Sequence, residues 1–438
     1  MRSKRISIYF FWGIVSSFFI ENQQSSASPI TPEYVELRMI EESTYPVEDI
    51  YSKNPLLISV SCGFDHPIFD VIKEALQKGN QLKIIPQESD ALAQTKQSLF
   101  KQLNDKNVQF YFIFKIEQGQ LMWKMYNVFT KSFVTGKSYK FEHDNFFDVA
   151  RTILIDIWET IFGEGITPFN CFLTYLETSR VENTQYSDIL FTQPLIGGFL
   201  KKILMTKNAI LDLGKLPTCP FESLLFSIRI DGQVDIVSFD AKGNLSTLIK
   251  NSCMAVSPSV NNQGIFYICS GKLFRFYFNR SINQFVSDLL DVQSDYVSVY
   301  AHPKEQKLLI AKNKKIYEMS YDVDPATNKI FIERAHQVSD SNSVMANGAY
   351  DGDAIVASER INGIYQLVCF ENNKKYLLTL SDYHKQDPAV SPCGTYIAYV
   401  AQMKTGERYI ETINRFTGVV IRITELAGEY RFPVWVIR

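Results

Sequence analysis

The sequence lacks any excess of positive charge and contains little histidine. Its 438 residues carry 45 Lys and Arg against 47 Asp and Glu, which gives a formal net charge of −2, and they include only 5 His. A chain without a basic field does not attract the phosphate backbone of nucleic acid. We therefore expect no nucleic-acid partner.

Motifs for catalysis and metal binding are also missing. The chain has no G-x-S-x-G, the turn that presents the serine nucleophile of α/β hydrolases, and no H-E-x-x-H of zinc proteases. No C-x-x-C or paired Cys/His spacing occurs, so we expect neither a metal nor a cofactor. The cysteines stand singly, at Cys62, Cys171, Cys219, Cys253, Cys269, Cys369 and Cys393. Their odd number and scatter through predicted strands favour small buried side chains over a disulfide framework, and we assign no pairs.

A long apolar run occurs at the N-terminus. Arg2, Lys4 and Arg5 precede an uncharged, mostly apolar run at 6–20, and small residues follow at 25–27. This order is typical of a secretory signal, and we interpret residues 1–27 as a cleavable signal peptide. The alternative is a membrane anchor, but the run is shorter than the roughly 20 residues that span a bilayer. Export leaves a mature chain with a net charge of about −4.

What the chain does have is an eroded internal repeat. Tight-turn sequences recur between apolar strands at a period of about 39 to 50 residues. They are Asp231-Gly232, Ser270-Gly271, Lys312-Asn313-Lys314, Asn362-Gly363 and Thr405-Gly406. A second series precedes them, formed by Cys219-Pro220, Ser257-Pro258, His302-Pro303, Tyr350-Asp351-Gly352 and Ser391-Pro392-Cys393-Gly394. Two turn series with one period predict blades of four short strands arranged in a ring.

The count of repeats predicts a six-bladed β-propeller over residues 168–438. The first unit, Pro168 to Asn208, has no opening strand of its own, whereas Phe432 to Ile437 resembles an opening strand with nothing after it. We expect this last strand to insert into the first blade and close the ring, because closure removes an exposed sheet edge. The alternative is a β-sandwich, which does not require this period.

Residues 55–166 change to mixed helix and strand patterns, which predicts an N-terminal α/β domain. Strands are expected at 56–60, 82–85, 108–116, 121–129 and 137–141. Helices are expected around 68–76, at 92–103, and from Asp144 to Gly163. The acidic segment at 28–54 is interpreted as an N-terminal arm. The fold class is therefore α+β and multidomain.

This order of parts resembles the TolB family, the periplasmic propeller proteins of the Tol-Pal system. The resemblance covers nearly the whole mature chain and rests on the signal sequence, the α/β domain and two segments, Gln386 to Tyr399 (QDPAVSPCGTYIAY) and Tyr430 to Trp435 (YRFPVW). The blade signature P-x-W-S-P-D-G of the family is kept here only as PAVSPCG, from Pro388 to Gly394.

The resemblance implies a monomeric, non-enzymatic periplasmic adaptor. Such a protein docks the peptidoglycan-associated lipoprotein (Pal) over one mouth of the propeller, communicates with inner-membrane Tol proteins through its arm, and supports outer-membrane integrity and cell division. By analogy, the contacts to Pal fall on Asp295, Tyr296, Ser343, His384, Lys385, Gln386, Asp387 and Arg431. The arm contacts fall on Val35, Glu36, Leu37, Arg38, Met39 and Ile40.

Two alternatives stay open. A propeller channel is able to bind a glycan or another small ligand, and residues that line a channel are not identifiable from so eroded a repeat. An exported hydrolase is the other alternative, since propellers also cap peptidases, although the chain lacks the motif of the serine nucleophile.

Overall fold

The computed structural model describes residues 56–62, 66–78, 82–85, 96–140, 146–163, 167–181, 185–195, 200–214, 223–240, 242–251, 255–279, 281–291, 295–302, 304–339, 344–351, 354–371, 374–415 and 417–437. The predicted signal peptide, the predicted arm with its contact residues 35–40, and Ser343 lie outside these residues. Within them, no helix is long and apolar enough to cross a membrane.

The N-terminal part is an α/β domain built on one five-stranded sheet. Its elements are β1 (Leu56–Cys62), α1 (Pro67–Lys78), β2 (Leu82–Ile85), α2 (Lys96–Asp105), β3 (Phe110–Glu117), β4 (Gln120–Asn127), β5 (Ser132–Lys140) and α3 (Phe146–Phe162). The strand order is β2-β1-β3-β4-β5. Strand β1 is parallel to β2 and β3, while β3, β4 and β5 form an antiparallel meander.

The helices cover the sheet with the apolar stripes that the periodicity predicts. Ile68 and Ile72 of α1 and Ile153 and Ile157 of α3 are buried in one cluster with sheet residues such as Phe112. Helix α2 packs its own residues in a separate cluster with Tyr111. Strand β5 begins at Ser132, five residues before the predicted start at Lys137, because its first residues pair with β4 while their side chains stay largely exposed.

The C-terminal part is a six-bladed propeller of four-stranded sheets. A short 3-10 helix, Pro168–Asn170, leads into it. Blade 1 contains β6 (Cys171–Val181), β7 (Gln185–Pro194) and β8 (Lys201–Thr206), and blade 2 contains β9 (Ile210–Leu213), β10 (Ser223–Ile230), β11 (Gln233–Asp240) and β12 (Leu245–Asn251). Blade 3 contains β13 (Ala255–Asn261), β14 (Gly264–Cys269), β15 (Lys272–Asn279) and β16 (Gln284–Asp291).

The remaining blades follow the same plan. Blade 4 contains β17 (Tyr296–Ala301), β18 (Lys307–Lys312), β19 (Lys315–Val323) and β20 (Ile330–Gln337). Blade 5 contains β21 (Val344–Asp351), β22 (Ala354–Ile361), β23 (Ile364–Glu371) and β24 (Lys374–Leu377). Blade 6 contains β25 (His384–Val390), β26 (Tyr396–Gln402), β27 (Arg408–Asn414) and β28 (Val420–Arg422), and the last strand is β29 (Glu429–Ile437).

Strand β29 closes the ring, as the sequence predicts. It is the innermost strand of blade 1 and pairs antiparallel with β6, with Ile437 opposite Cys171 and Trp435 opposite Leu173. The indole Nε1 of Trp435 also donates a 2.8 Å hydrogen bond to the carbonyl oxygen of Ala389 in β25. The end of the chain is therefore anchored to both the first and the last blade.

The hairpin turns adopt the positive φ angles that their sequences indicate. The φ angle is 49° at Asp231 and at Ser270, and 51° at Asn362. In blade 4 the turn is built without glycine, since Asn313 and Lys314 have φ angles of 52° and 60°. Residues other than glycine rarely adopt positive φ angles, so the geometry of the two-residue hairpin must impose this backbone conformation on Lys314.

The prediction of a turn at Ser257-Pro258 is wrong. Both residues lie inside β13, where the pairing with β14 shifts register and Ser257 has a φ angle of 54°. The same irregularity, a residue of positive φ before proline, occurs at Asp387 in β25 and at Phe432 in β29. A β-bulge produces it, because the extra residue needs turn-like backbone angles within a strand. In sequence such a bulge resembles a turn.

Cys269 takes part in a disulfide bond that was not assigned from the sequence. This residue ends β14 and is disulfide-bonded, whereas Cys62, Cys171, Cys369 and Cys393 are free. Spacing along the chain does not reveal which strand ends meet, so the pairing was not visible in the sequence.

Candidate partner-binding mouth of the propeller

The innermost strands of the six blades are β9, β13, β17, β21, β25 and β29. Each is antiparallel to the second strand of its blade, and neighbouring innermost strands contact one another around the ring, with β29 between β25 and β9. All six therefore run in one direction. We call the end where they begin the first mouth and the end where they finish the second mouth.

The α/β domain packs near the second mouth. Trp158 of α3 makes an edge-to-face contact with Phe169, with ring centroids 5.5 Å apart, and the guanidinium of Arg151 lies 5.1 Å from the ring of Phe172. Phe172 is the second residue of β6 and pairs with Val436 near the end of β29. The first mouth faces away from this contact.

Asp295 and Tyr296 lie at the start of β17 and have different environments. Asp295 is exposed and has a φ angle of 80°. Tyr296 is only 5% exposed, and its hydroxyl donates a 2.6 Å hydrogen bond to Asp291 Oδ2. Burial, followed by this hydrogen bond, raises the pKa of Tyr296. Tyr296 therefore anchors the loop from behind, while Asp295 is presented to solvent.

The loop at Asp295 also depends on the preceding blade. The backbone N–H of Tyr296 donates to the carbonyl oxygen of Gly271 at 3.0 Å. A Cβ on Gly271 would lie 3.1 Å from the backbone nitrogen of Asp295, and Gly271 itself has a φ angle of 74°. Glycine is required here for both reasons. Val297, next in β17, is 48% exposed, which adds an apolar side chain beside Asp295.

Four further residues with sequence-predicted roles begin β25. His384 is half-buried, and its Nδ1 accepts a 3.1 Å hydrogen bond from the backbone N–H of Tyr365. Gln386 and Asp387 are half-buried at the bulge, where Asp387 has a φ angle of 51°. Lys385 is only 1% exposed. The alternation of a strand thus turns Lys385 away from the surface that its neighbours share.

The buried ammonium of Lys385 is surrounded by aromatic rings. Its Nζ lies 3.9 Å from the ring centroid of Tyr383, 4.9 Å from that of Tyr399, and 3.4 Å from the Tyr399 hydroxyl. Both phenol groups donate to Glu411 Oε2, at 3.0 and 3.1 Å. Arg422 donates to the other carboxylate oxygen, Oε1, at 3.0 and 3.2 Å. One residue from each strand of blade 6 therefore contributes to a continuous buried network.

Arg431, in β29, holds blade 1 against blade 2. Its guanidinium donates to Thr178 Oγ1 at 2.7 Å and to Asp188 Oδ1 at 3.2 Å. The second oxygen of Asp188 accepts the backbone N–H of Ile210, the first residue of β9, at 2.6 Å. Since Arg431 stays partly exposed, the same side chain supports the ring and reaches the first mouth.

The structure thus brings most of the residues with predicted roles to one mouth but divides them into two groups. Asp295, His384, Gln386, Asp387 and Arg431 are exposed or partly exposed, whereas Tyr296 and Lys385 are buried. Nothing in the sequence indicated roles for Val297, Asp188 and Glu411 at this mouth. The burial of Lys385 had one signal in the sequence, the aromatic residues near it. Tyr383 lies two residues before it, and Tyr399 lies in the next strand, β26.

The accessible side chains at this mouth differ in chemistry. In the described parts of the chain, no three His, Cys, Asp or Glu side chains come together as metal ligands. The accessible side chains combine a carboxylate, an imidazole, an amide, a guanidinium and the apolar Val297, on turns fixed by buried anchors. Such mixed surfaces on rigid supports suit recognition of a protein partner.

Comparison with solved structures identifies the fold. The chain is similar to TolB from Acinetobacter baumannii, with 13% sequence identity over 92% of this chain and 100% of that chain, at a TM-score of 0.69. The chain has the fold of TolB. The TolB-like architecture predicted from the sequence, with an α/β domain followed by a propeller closed by its last strand, is confirmed.

Other solved propellers match less well. A putative TolB from Agrobacterium tumefaciens is 12% identical over 61% of this chain and 99% of its own, at a TM-score of 0.40. A putative 6-phosphogluconolactonase from Bacteroides uniformis is 12% identical over 72% of this chain and 95% of its own, at a TM-score of 0.38. Neither carries a functional argument. No family model and no curated protein matches the sequence.

Proposed function

We propose that the protein is a non-enzymatic periplasmic adaptor of a Tol-Pal-type system, exported by its signal peptide, that binds a peptidoglycan-associated lipoprotein at the first mouth. In this role it supports outer-membrane integrity and envelope constriction at division. The observation that carries the proposal is the correspondence of the whole architecture with that of a TolB protein, 100% of whose chain is covered.

The geometry of the first mouth supports a docking role. The starts of β17, β25 and β29 present Asp295, His384, Asp387 and Arg431 on one end of the ring. In the described residues, the α/β domain contacts blade 1 near the other end. A partner that covers the first mouth therefore meets charged and apolar side chains on turns that are already fixed, and binding to fixed groups loses less conformational entropy.

The test is binding of the purified mature protein to the periplasmic domain of the Pal-like lipoprotein from the same envelope. Substitution of Asp295→Ala together with Val297→Ala is expected to weaken binding at least about tenfold while the melting temperature stays unchanged. The matched control is Glu305→Ala, an exposed carboxylate beyond the other end of β17. The proposed site is wrong if Glu305→Ala weakens binding as much as the double variant.

Tyr296→Ala distinguishes contact from support. Because Tyr296 is buried, its removal is expected to lower the melting temperature and binding together. If wild-type protein fails to capture the lipoprotein and instead binds a glycan tightly, the adaptor role is overturned in favour of a channel ligand. Cell fractionation tests the location separately, and cytoplasmic retention of the full chain contradicts it.

A further inference from the structure

Two free thiols meet beside the ring closure. Cys171 is the first residue of β6, opposite Ile437 of β29, and Cys393 lies in the turn between β25 and β26. The two side chains hydrogen-bond to each other, and Cys393 packs against the cluster that contains Cys171. One thiol thus belongs to blade 1, which β29 completes, and the other to the neighbouring blade 6.

The two thiols differ in accessibility. Cys171 is fully buried, and its Sγ lies 3.2 Å from the carbonyl oxygen of Thr167. Cys393 is partly exposed, and its Sγ lies 3.2 Å from Ser391 Oγ. Of the two residues, Cys393 is therefore the one with some contact to solvent.

The surroundings also separate their acidities. Burial acts to raise the pKa of the Cys393 thiol, but hydrogen bonds from Cys171, Ser391 and Thr395 outweigh it and lower the pKa to about 6. The hydrogen bond with Cys393 and burial raise the pKa of Cys171 well above its ordinary value. Since the thiolate is the nucleophile, Cys393 is the reactive member of the pair near neutral pH.

We propose that Cys171 and Cys393 form a disulfide bond that ties blade 6 to blade 1 next to the ring closure. The oxidant is a small or protein disulfide. The Cys393 thiolate attacks one sulfur of this disulfide and releases a thiolate. Cys171 then loses its proton to solvent and attacks Cys393 Sγ, which expels the second thiolate. Two cysteine thiols are oxidised to one disulfide while the disulfide that was attacked is reduced to two thiols.

The bond would strengthen a closure that is otherwise non-covalent. Strand β29 holds blades 1 and 6 together through its pairing with β6 and through the hydrogen bond from Trp435 to Ala389. A disulfide from β6 to the β25–β26 turn would enclose about 220 residues, nearly the whole ring. Cross-links that close long loops restrict the unfolded chain most. The existing disulfide at Cys269 shows that this chain already contains an oxidised cysteine.

The test is equilibration of the mature protein with reduced and oxidised glutathione, followed by blocking of free thiols and peptide mapping without reduction. We expect a peptide pair that joins Cys171 to Cys393, with the Cys269 disulfide as the internal positive control. We also expect the oxidised protein to melt about 5 °C above the protein with this pair reduced. The proposal is overturned if Cys171 and Cys393 remain fully blocked by the reagent under conditions in which the Cys269 disulfide is complete.

Serine variants provide a second, independent readout. Cys171→Ser and Cys393→Ser are each expected to abolish the gain in melting temperature on oxidation, whereas the control Cys369→Ser, at another buried free cysteine, retains it. In the reduced protein, alkylation of Cys393 should fall as pH decreases through about 6, while Cys369, whose pKa burial raises to about 11, stays unreactive across that range. Equal gains in all three variants, or alkylation of Cys393 only above pH 8, would contradict the pairing.

Discussion

Arg275 and Lys385 are both buried cations at boundaries between blades, and the protein stabilises them in different ways. Arg275, in β15 of blade 3, is 0% exposed and donates to the carbonyl oxygen of Gln263 at 2.9 and 2.6 Å. It also donates to the carbonyl and side-chain oxygens of Asn328 in blade 4, at 2.5 and 3.1 Å. Oxygen atoms of two blades thus accept hydrogen bonds directly from the planar guanidinium.

Lys385, in β25 of blade 6, lies between two aromatic rings, whereas Arg275 has one ring, that of Tyr277, 3.9 Å from its guanidinium in addition to its oxygen acceptors. The tyrosine hydroxyl groups connect its ammonium to the carboxylate of the network. Lys385 donates to Tyr399, and the hydroxyl groups of Tyr383 and Tyr399 both donate to Glu411. The backbone carbonyl of Lys385 accepts a hydrogen bond from Ser358 of blade 5. The ammonium is a single point charge that aromatic faces can attract without fixed directions.

A buried charge therefore supports a blade boundary in two different ways in this protein. At Arg275 the support depends on the cation, because each of its acceptors loses a donor when it is removed. At Lys385 the support depends on the carboxylate, because Glu411 accepts hydrogen bonds from both phenols and from Arg422. Substitutions at the two boundaries should therefore rank in a definite order.

The largest effect is expected from Glu411→Leu. This change leaves the buried phenols of Tyr383 and Tyr399 and the guanidinium of Arg422 without their shared acceptor, and we expect the free energy of unfolding to fall by about 4 kcal/mol. Urea unfolding measures the loss, and hydrogen exchange should localise it to blades 5 and 6. The control is Glu407→Gln, an exposed carboxylate nearby, with a change within about 0.5 kcal/mol. A loss of free energy of unfolding below about 1 kcal/mol for Glu411→Leu would contradict the central role of this carboxylate in the network.

Arg275→Met is expected to come next, with a loss of about 3 kcal/mol, because the oxygens of Gln263 and Asn328 lose their buried donor. Hydrogen exchange should increase in blades 3 and 4. Arg275→Lys should recover less than half of the loss, since an ammonium does not reproduce the fork of a guanidinium. Full recovery by lysine would show that charge alone, and not geometry, stabilises this boundary.

Lys385→Met should cost less, about 1 to 2 kcal/mol, although the side chain is as deeply buried as Arg275. Glu411 keeps Arg422 and both phenols as donors in this variant, and methionine preserves most of the packing of the lysine stem. The same urea experiment measures it. The contrast between the boundaries fails if Lys385→Met proves more destabilising than Arg275→Met.

The smallest of these effects is expected from Tyr296→Phe at the first mouth. The change removes only the hydrogen bond to Asp291 and should lower the free energy of unfolding by about 1 kcal/mol. Asp295→Ala, at the exposed neighbour, is the control, with a change within about 0.5 kcal/mol. Equal losses at the two positions would show that Asp295 also supports the loop, and the division of this mouth into contact and support residues would have to be revised.

The sequence was informative where local geometry determines the residue type. The turns at Asp231-Gly232 and Asn362-Gly363 were predicted because two-residue hairpins need positive φ angles. The closure by β29 followed from a count of strands, since one blade lacked its opening strand and one strand lacked a blade. Strand β9, four residues long, was not predicted from the sequence.

The candidate site was predictable in place but not in exposure. The resemblance to the TolB family implied contacts at turns that lead into the innermost strands, and Asp295, His384 and Arg431 do lie at or near the starts of such strands. Whether a side chain there meets solvent depends on the alternation of faces along its strand, and a bulge such as the one at Asp387 changes that alternation for the residues after it. Tyr296 and Lys385 were therefore named together with Asp295 and His384, although they are buried.

The sequence by itself determined the repeat, the number of blades, the strand that closes the ring and the helices that cover the N-terminal sheet. Each of these follows from periodicity and turn chemistry, which act over a few residues. Only the tertiary structure decided that Lys385 lies between the rings of Tyr383 and Tyr399, that Arg275 reaches Asn328 in the next blade, and that Cys171 meets Cys393 across more than 200 residues of chain. These contacts join strands distant in sequence, and their partners are selected by the closure of the ring, which no local pattern encodes.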